Sequence, residues 1–326
     1  MHNWALSTIS LIYNERFKEA EDEARKIIRR YPSHPAGYFF MAATIDSWMI
    51  THQSDKRENE FYRFCDVAVE KGEVLLGKNP RDQWAKFFIG GTEGYKGTFE
   101  ARYERWITAF RNGWKGVSVL MQMRENRSDI VDIDFGIGCY NYWRSALMKS
   151  LWWMPGVSDK RAEGIEKLVQ VRNHGVYTKV GASLSLLEIY INERRFGDAL
   201  EVTNEILEQY PRSRVFLVCK IRILYALTRF EEAQAIAQEM LGRLESDQDD
   251  ERATIALCHY WIAKTALMLD RASECLDHCE TMKKYPYDDQ TKKMMEKFFV
   301  EAEVIAKQAA VRKKTPARRK SSDKSP

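Results

Sequence analysis

Residues 183–211 read SLSLLEIYINERRFGDALEVTNEILEQYP and carry two apolar stripes separated by a polar turn. Leu186, Leu187 and Tyr190 share one face of a first helix, and Phe196, Ala199 and Ile206 share one face of a second. Pro211 then ends the second helix, because proline has no N–H and disfavours helical geometry in the residue before it. A hairpin of two such helices cannot bury both stripes by itself, so it needs neighbours of the same kind.

The neighbours are present. About 34 residues further on, Leu224, Phe230, Ala233, Ala237 and Met240 fall on the matching positions. At the start of the chain, Trp4, Phe17, Ala20, Ala24, Ile27 and Pro32 stand where Ser183, Phe196, Ala199, Thr203, Ile206 and Pro211 stand here. The small residue at Ala20, Ala199 or Ala233 lets the second helix approach the first, and the aromatic three positions earlier fills the space beside it. This is the pattern of the tetratricopeptide repeat (TPR). It predicts an all-α fold: a TPR-type solenoid of helical hairpins, wound as a right-handed superhelix with one continuous core.

A less regular pair follows, Arg252–Leu269 and Ala272–Lys284, and a last helix, Asp288–Ala310, should cap the stack. The first half is also less regular. Ala36–Thr51 and Glu58–Leu76 read as long helices. Trp84–Thr98, Ala101–Trp114 and Val117–Arg124 read as three more, and Asp132–Ser150 as another. An irregular centre breaks the stack near 151–158. One repeat domain is therefore expected over 1–310, followed by a disordered basic tail over 311–326.

The 326 residues, 44% hydrophobic and 30% charged, suit a folded globular chain. The tail holds seven Lys or Arg against one Asp, so the net charge of +4 leaves a weakly negative body. No nucleic-acid partner is expected of such a body, since duplex binding needs a clustered basic face. The tail suits weak contact with acidic surfaces. No run of about 20 apolar residues predicts a transmembrane segment. Six scattered cysteines read as reduced, buried thiols and favour a cytoplasmic setting. The repeat begins at Trp4 almost without lead-in, which leaves room for an exported precursor with an upstream segment.

The centre of the chain carries a second signal: DIDFGIGCYNYW (132–143), LWWMPG (151–156) and DKRAEGIEKL (159–168), with GGTEGYKG (90–97) upstream. This order resembles a broad family of bacterial TPR proteins of undefined biochemistry. It is distantly similar to the eukaryotic TPR family that includes the inclusion-body-clearance proteins. The resemblance covers most of residues 1–300 and implies a helical repeat scaffold without known catalysis.

Features that could carry chemistry have plainer explanations. Gly136 and Gly138 lack the preceding strand and third glycine of a dinucleotide loop, and read as sites of close helix packing. Gly90, Gly91 and Gly94 read likewise. Cys275, His278 and Cys279, with Cys258 and His259, have spacings that a zinc site could use, but Cys275 and Cys279 stand at small-residue packing positions. Asp132 and Asp134 are read as caps of the helix beside them. No nucleophile elbow, zinc-protease or kinase signature occurs, so neither an enzyme nor a cofactor is expected.

First-helix positions away from the packing seam line the concave face of such arrays. Here they are Glu188 and Ile191, Arg222 and Tyr225, then Tyr260 and Lys264. Tyrosines mixed with opposite charges suit an extended or helical peptide, and a protein or peptide partner is expected there. The carboxylate clamp of chaperone-tail binders is not, because Ala5 and Ile9 stand at its early positions. The second reading is a small-ligand or lipid-binding accessory protein, with a pocket at the irregular centre around Tyr140, Tyr142 and Trp152.

Overall fold

The computed structural model describes residues 1–148, 158–244, 251–285, 287 and 289–314. Among them are fifteen helices and no strand. They run α1 (His2–Tyr13), α2 (Phe17–Arg30), α3 (Ala36–Thr51), α4 (Glu58–Lys78), α5 (Gln83–Arg102), α6 (Trp106–Glu125), α7 (Ile133–Leu147) and α8 (Arg161–His174). Then follow α9 (Lys179–Asn192), α10 (Phe196–Gln209), α11 (Arg214–Ala226), α12 (Phe230–Leu244), α13 (Arg252–Met268), α14 (Ala272–Lys284) and α15 (Asp289–Lys314). The all-α, TPR-type hairpin fold expected from the sequence is what forms. The chain divides into two compact units: Met1–Thr51 with Asp55–Phe216, and His52–Ser54 with Leu217–Pro326.

One turn recurs and fixes the register of the hairpins. Glu15, Glu104, Arg194, Thr228 and Asp270 are all left-handed, with φ between 57° and 60°. Each is followed by an arginine: Arg16, Arg105, Arg195, Arg229 and Arg271. The arginine N–H donates to the carbonyl five residues back, on Leu11, Glu100, Tyr190, Leu224 or Ala266, at 2.8–3.0 Å. Its own carbonyl accepts from Ala20, Ala109, Ala199, Ala233 or Cys275, which opens the second helix. The turn thus satisfies end groups of both helices in the manner of a Schellman cap. In four of the five the guanidinium pairs with an acid three residues on: Glu19, Asp198, Glu232 or Glu274.

The turn at Glu104 corrects the sequence reading of α5 and α6. These are two helices of 20 residues each, with the break at 103–105. The break expected between Trp114 and Val117 does not form, and Gly113 and Gly116 lie inside α6 because two backbones meet there. A Cβ on Gly116 would stand 2.5 Å from the Gly90 carbonyl oxygen, and one on Gly97 would stand 2.9 Å from the Gly113 nitrogen.

The same device joins α7 to α8, so Gly138 is a packing glycine inside a helix and not part of a nucleotide loop. A Cβ on Gly164 would lie 2.7 Å from the Gly138 carbonyl oxygen and 2.9 Å from the Tyr142 nitrogen. Gly164→Ala should therefore cost about 1–3 kcal/mol through forced separation of the two helices. Urea titration of the two proteins side by side checks this, and an unchanged midpoint would refute the close-packing account.

In the N-terminal unit, successive helices pack in chain order, and α1, α3, α5, α7 and α9 also touch in sequence. Its core is aromatic: Phe61 stacks on Phe99 at 4.9 Å, and Phe39 meets Phe40, Phe88 and Tyr95 edge-on at 5.4 Å. The start of this unit also meets its end. The Tyr13 ring lies 5.6 Å from Tyr210 and 6.0 Å from Phe216. Glu15 accepts from the Arg214 backbone N–H and, at 2.5 Å, from its Nε. His2 Nδ1 and the Tyr177 hydroxyl are 2.7 Å apart.

Asp132 plays a part other than the one expected. It makes no cap to its own helix α7. Its carboxylate instead accepts from the N–H groups of Val176, Tyr177 and Thr178 and from the Thr178 hydroxyl, at 2.7–3.2 Å, and so holds the segment that leads into α9. Asp134 pairs with Arg124 at 2.6 Å and Lys167 at 3.5 Å.

In the C-terminal unit, α13 packs between α12 and α14, and α15 covers α13 and α14. The last helix is therefore the expected cap, and it continues to Lys314. The irregular centre near 151–158 lies outside the described residues except for Ser158.

Candidate functional site

Three of the expected groove residues come together in the C-terminal unit. Tyr225 lies near the end of α11, just before the left-handed Thr228, and Tyr260 and Lys264 lie one turn apart on α13. The Lys264 ammonium sits over three rings, 5.1 Å from the centres of Tyr225 and Tyr260 and 5.2 Å from Trp261. Electron-rich ring faces attract a cation at this range. Lys264 Nζ also donates to the Tyr260 hydroxyl and to Glu301 Oε1, each at 2.6 Å. The Tyr260 hydroxyl donates to the other Glu301 oxygen at 2.6 Å. Phe298 closes the far side against Tyr260 at 5.1 Å.

The charges in this cluster hold one another. Burial works against the Glu301 carboxylate, but hydrogen bonds from Lys264 and Tyr260 outweigh it and keep its pKa below the ordinary range. Burial, then the bond to Glu301, pushes the Tyr260 phenol far up, so it stays a donor. Lys264 uses two of its three N–H donors inside the cluster.

Arg222 is half-buried on α11, one turn before Tyr225, and Glu188 is half-buried on α9 of the N-terminal unit. Sequence reasoning did not name Glu301 or Trp261. Glu301 follows Phe298 by three positions on α15, a spacing that puts both on one helix face. That spacing was the available signal.

The residues of the expected central pocket separate. Tyr142 is wholly buried; its hydroxyl donates to Glu193 at 2.9 Å and accepts from Asn192 at 2.7 Å. Tyr140 points elsewhere and packs on Trp114 at 5.9 Å. Trp152 lies outside the described residues.

On α13 and α14, Cys275 and Cys279 are buried in the packing seam, and Cys279 Sγ approaches the Ala302 carbonyl at 3.5 Å. His259 and His278 join through their Nδ1 atoms at 2.8 Å. Among the described residues no group of three His, Cys, Asp or Glu is placed to hold a metal ion. None of the described helices is long and apolar enough to cross a membrane.

Neither a protein-family model nor a curated protein matches the chain. Similar solved structures include a tetratricopeptide repeat protein from Parabacteroides merdae, at 11% identity over 94% of this chain and 98% of that one, with a TM-score of 0.38. The C-terminal part of a TPR repeat-containing protein from Cytophaga hutchinsonii is 14% identical over 87% and 96%, with a TM-score of 0.39. The TPR2AB domain of yeast Sti1, solved in a complex with pHSP90, is 13% identical over 95% and 98%, with a TM-score of 0.31.

Proposed function

We propose that this chain is a non-catalytic scaffold that holds an extended or helical segment of a partner protein against the first helices of its hairpins. The supporting observation is the convergence of Tyr225, Tyr260 and Lys264, from two successive hairpins, into one aromatic and ionic cluster. Tyr260, expected in the groove, is instead buried at 2% exposed beneath Glu301 and Phe298 of α15, so the half-buried Tyr225 ring and Lys264 are the parts that can meet a bound segment, held rigid by the cluster behind them. The remaining N–H of Lys264 suits a carbonyl or carboxylate of the bound segment. Arg222, one turn before Tyr225 on α11, extends the same proposed surface.

A photo-crosslinking residue placed at Tyr225 should capture a partner from lysate of the native organism. The same residue at Glu73, exposed on α4, should not. Lys264→Glu should reduce the adduct at 225 at least several-fold. An adduct equally strong with Lys264→Glu, or none above the position-73 control, would remove the support for a groove at this cluster.

A further inference from the structure

On α6, Trp106, Phe110 and Trp114 recur every four residues and form one stripe along the helix. The stripe faces outward: Trp106 is 44% exposed, Trp114 55%, and Ile107 beside them 89%. On α7, Tyr140 packs on Trp114 at 5.9 Å, and Trp143 and Leu147, three and seven residues on, are exposed as well. A contiguous apolar surface of this kind marks an interaction site and not an ordinary solvated face.

Within the two stripes the charge has one sign. Arg111 and Lys115 are exposed between the rings of α6, and Arg144 lies beside Trp143 on α7. From Trp106 to Arg124 there is no carboxylate, and from Phe135 to Leu147 there is none either. With 47 Asp and Glu among 326 residues, this is a local property of the surface and not of the chain. The relief also matters. Ile107 and Trp114 are the most exposed apolar residues of α6, at 89% and 55%, and form its outermost edge, which we call a ridge. Protruding Trp and Ile flanked by Lys and Arg suit the boundary between lipid headgroups and acyl chains. There the rings find a half-apolar layer and the cations find phosphates.

We propose that the α6–α7 ridge docks the protein on an anionic lipid bilayer. Ile107, Trp106 and Trp114 enter the interface, and Arg111, Lys115 and Arg144 face the headgroups. The protein lies on the membrane through this ridge.

The test is sedimentation of the full chain with vesicles of phosphatidylcholine alone, and of phosphatidylcholine with phosphatidylserine. The wild type should bind the mixed vesicles at least ten-fold more strongly, and binding should weaken with added salt. Ile107→Ser with Trp114→Ser, and separately Arg111→Glu with Lys115→Glu, should each lower that binding at least ten-fold. All four positions are exposed, and circular dichroism melts are the check that both variants fold. Because both keep the basic residues of 312–326, equal sedimentation of variants and wild type would assign binding to that segment and overturn the proposal. No binding to mixed vesicles would overturn it too. Self-association lost in the Ile107/Trp114 variant, without vesicle binding, would assign the ridge to a second copy of the chain instead.

Discussion

Asp132→Ala should lower the stability of the N-terminal unit by about 2–4 kcal/mol, the cost of losing several charge-assisted hydrogen bonds at once. Asp132 is only 3% exposed and accepts from three consecutive backbone N–H groups and one hydroxyl just before α9. The carboxylate also faces the positive end of the α9 dipole. Alanine leaves those part-buried donors without the carboxylate that gathers them. Asp132→Asn keeps an acceptor but loses the charge, and should cost about half as much. Guanidinium titration followed by tyrosine and tryptophan fluorescence checks both. If either variant were as stable as the wild type, the tie from α7 to α9 would contribute nothing.

The second large effect is a dependence on pH set by His259. Its ring is 5% exposed and lies against His278, and burial, then the charge of His278, pushes its pKa down to about 4. Unfolded, it would titrate near 6.5. Between those values the unfolded chain binds more protons than the folded one, so stability rises with pH across this window and is lost as pH falls from 6.5 toward 4. The loss attributable to this residue is about 2–3 kcal/mol. His259→Gln, which cannot take up a proton in this range, should give a shallower dependence of melting temperature on pH between 6.5 and 4.5. Parallel curves for the two proteins would dissociate the acid sensitivity from this ring.

How much of this could be read in the sequence depended on whether the signal was local. The hairpins at Trp4, Ser183 and Arg214 were legible because Ala20, Ala199 and Ala233 recur at one position with an aromatic three residues before. The α5–α6 hairpin was not, because glycines replace the apolar residues along its seam and imitate breaks. Its register was still written at Glu104-Arg105-Trp106, which matches Arg194-Arg195-Phe196, and arginine before the second helix was the unused signal. Tyr225, Tyr260 and Lys264 followed from register alone. Glu301 did not, since α15 repeats nothing before it. The target of Asp132 lies 44–46 residues downstream, and no helical period reaches that far.

The meeting of Tyr13 and Glu15 with Tyr210, Arg214 and Phe216 has a consequence for how the protein is made. A simple repeat array is stabilised by nearest neighbours, and each hairpin can settle onto the one before it. Here the first helix completes its contacts only with residues 199 positions later. At about 5–20 residues per second of synthesis, α1 waits on the order of 10–40 s on the ribosome before its last partners exist. For that interval its aromatic end is uncovered. The N-terminal unit therefore closes late and as a whole, and the newborn chain is most exposed to chaperones and proteases before residue 216 has emerged.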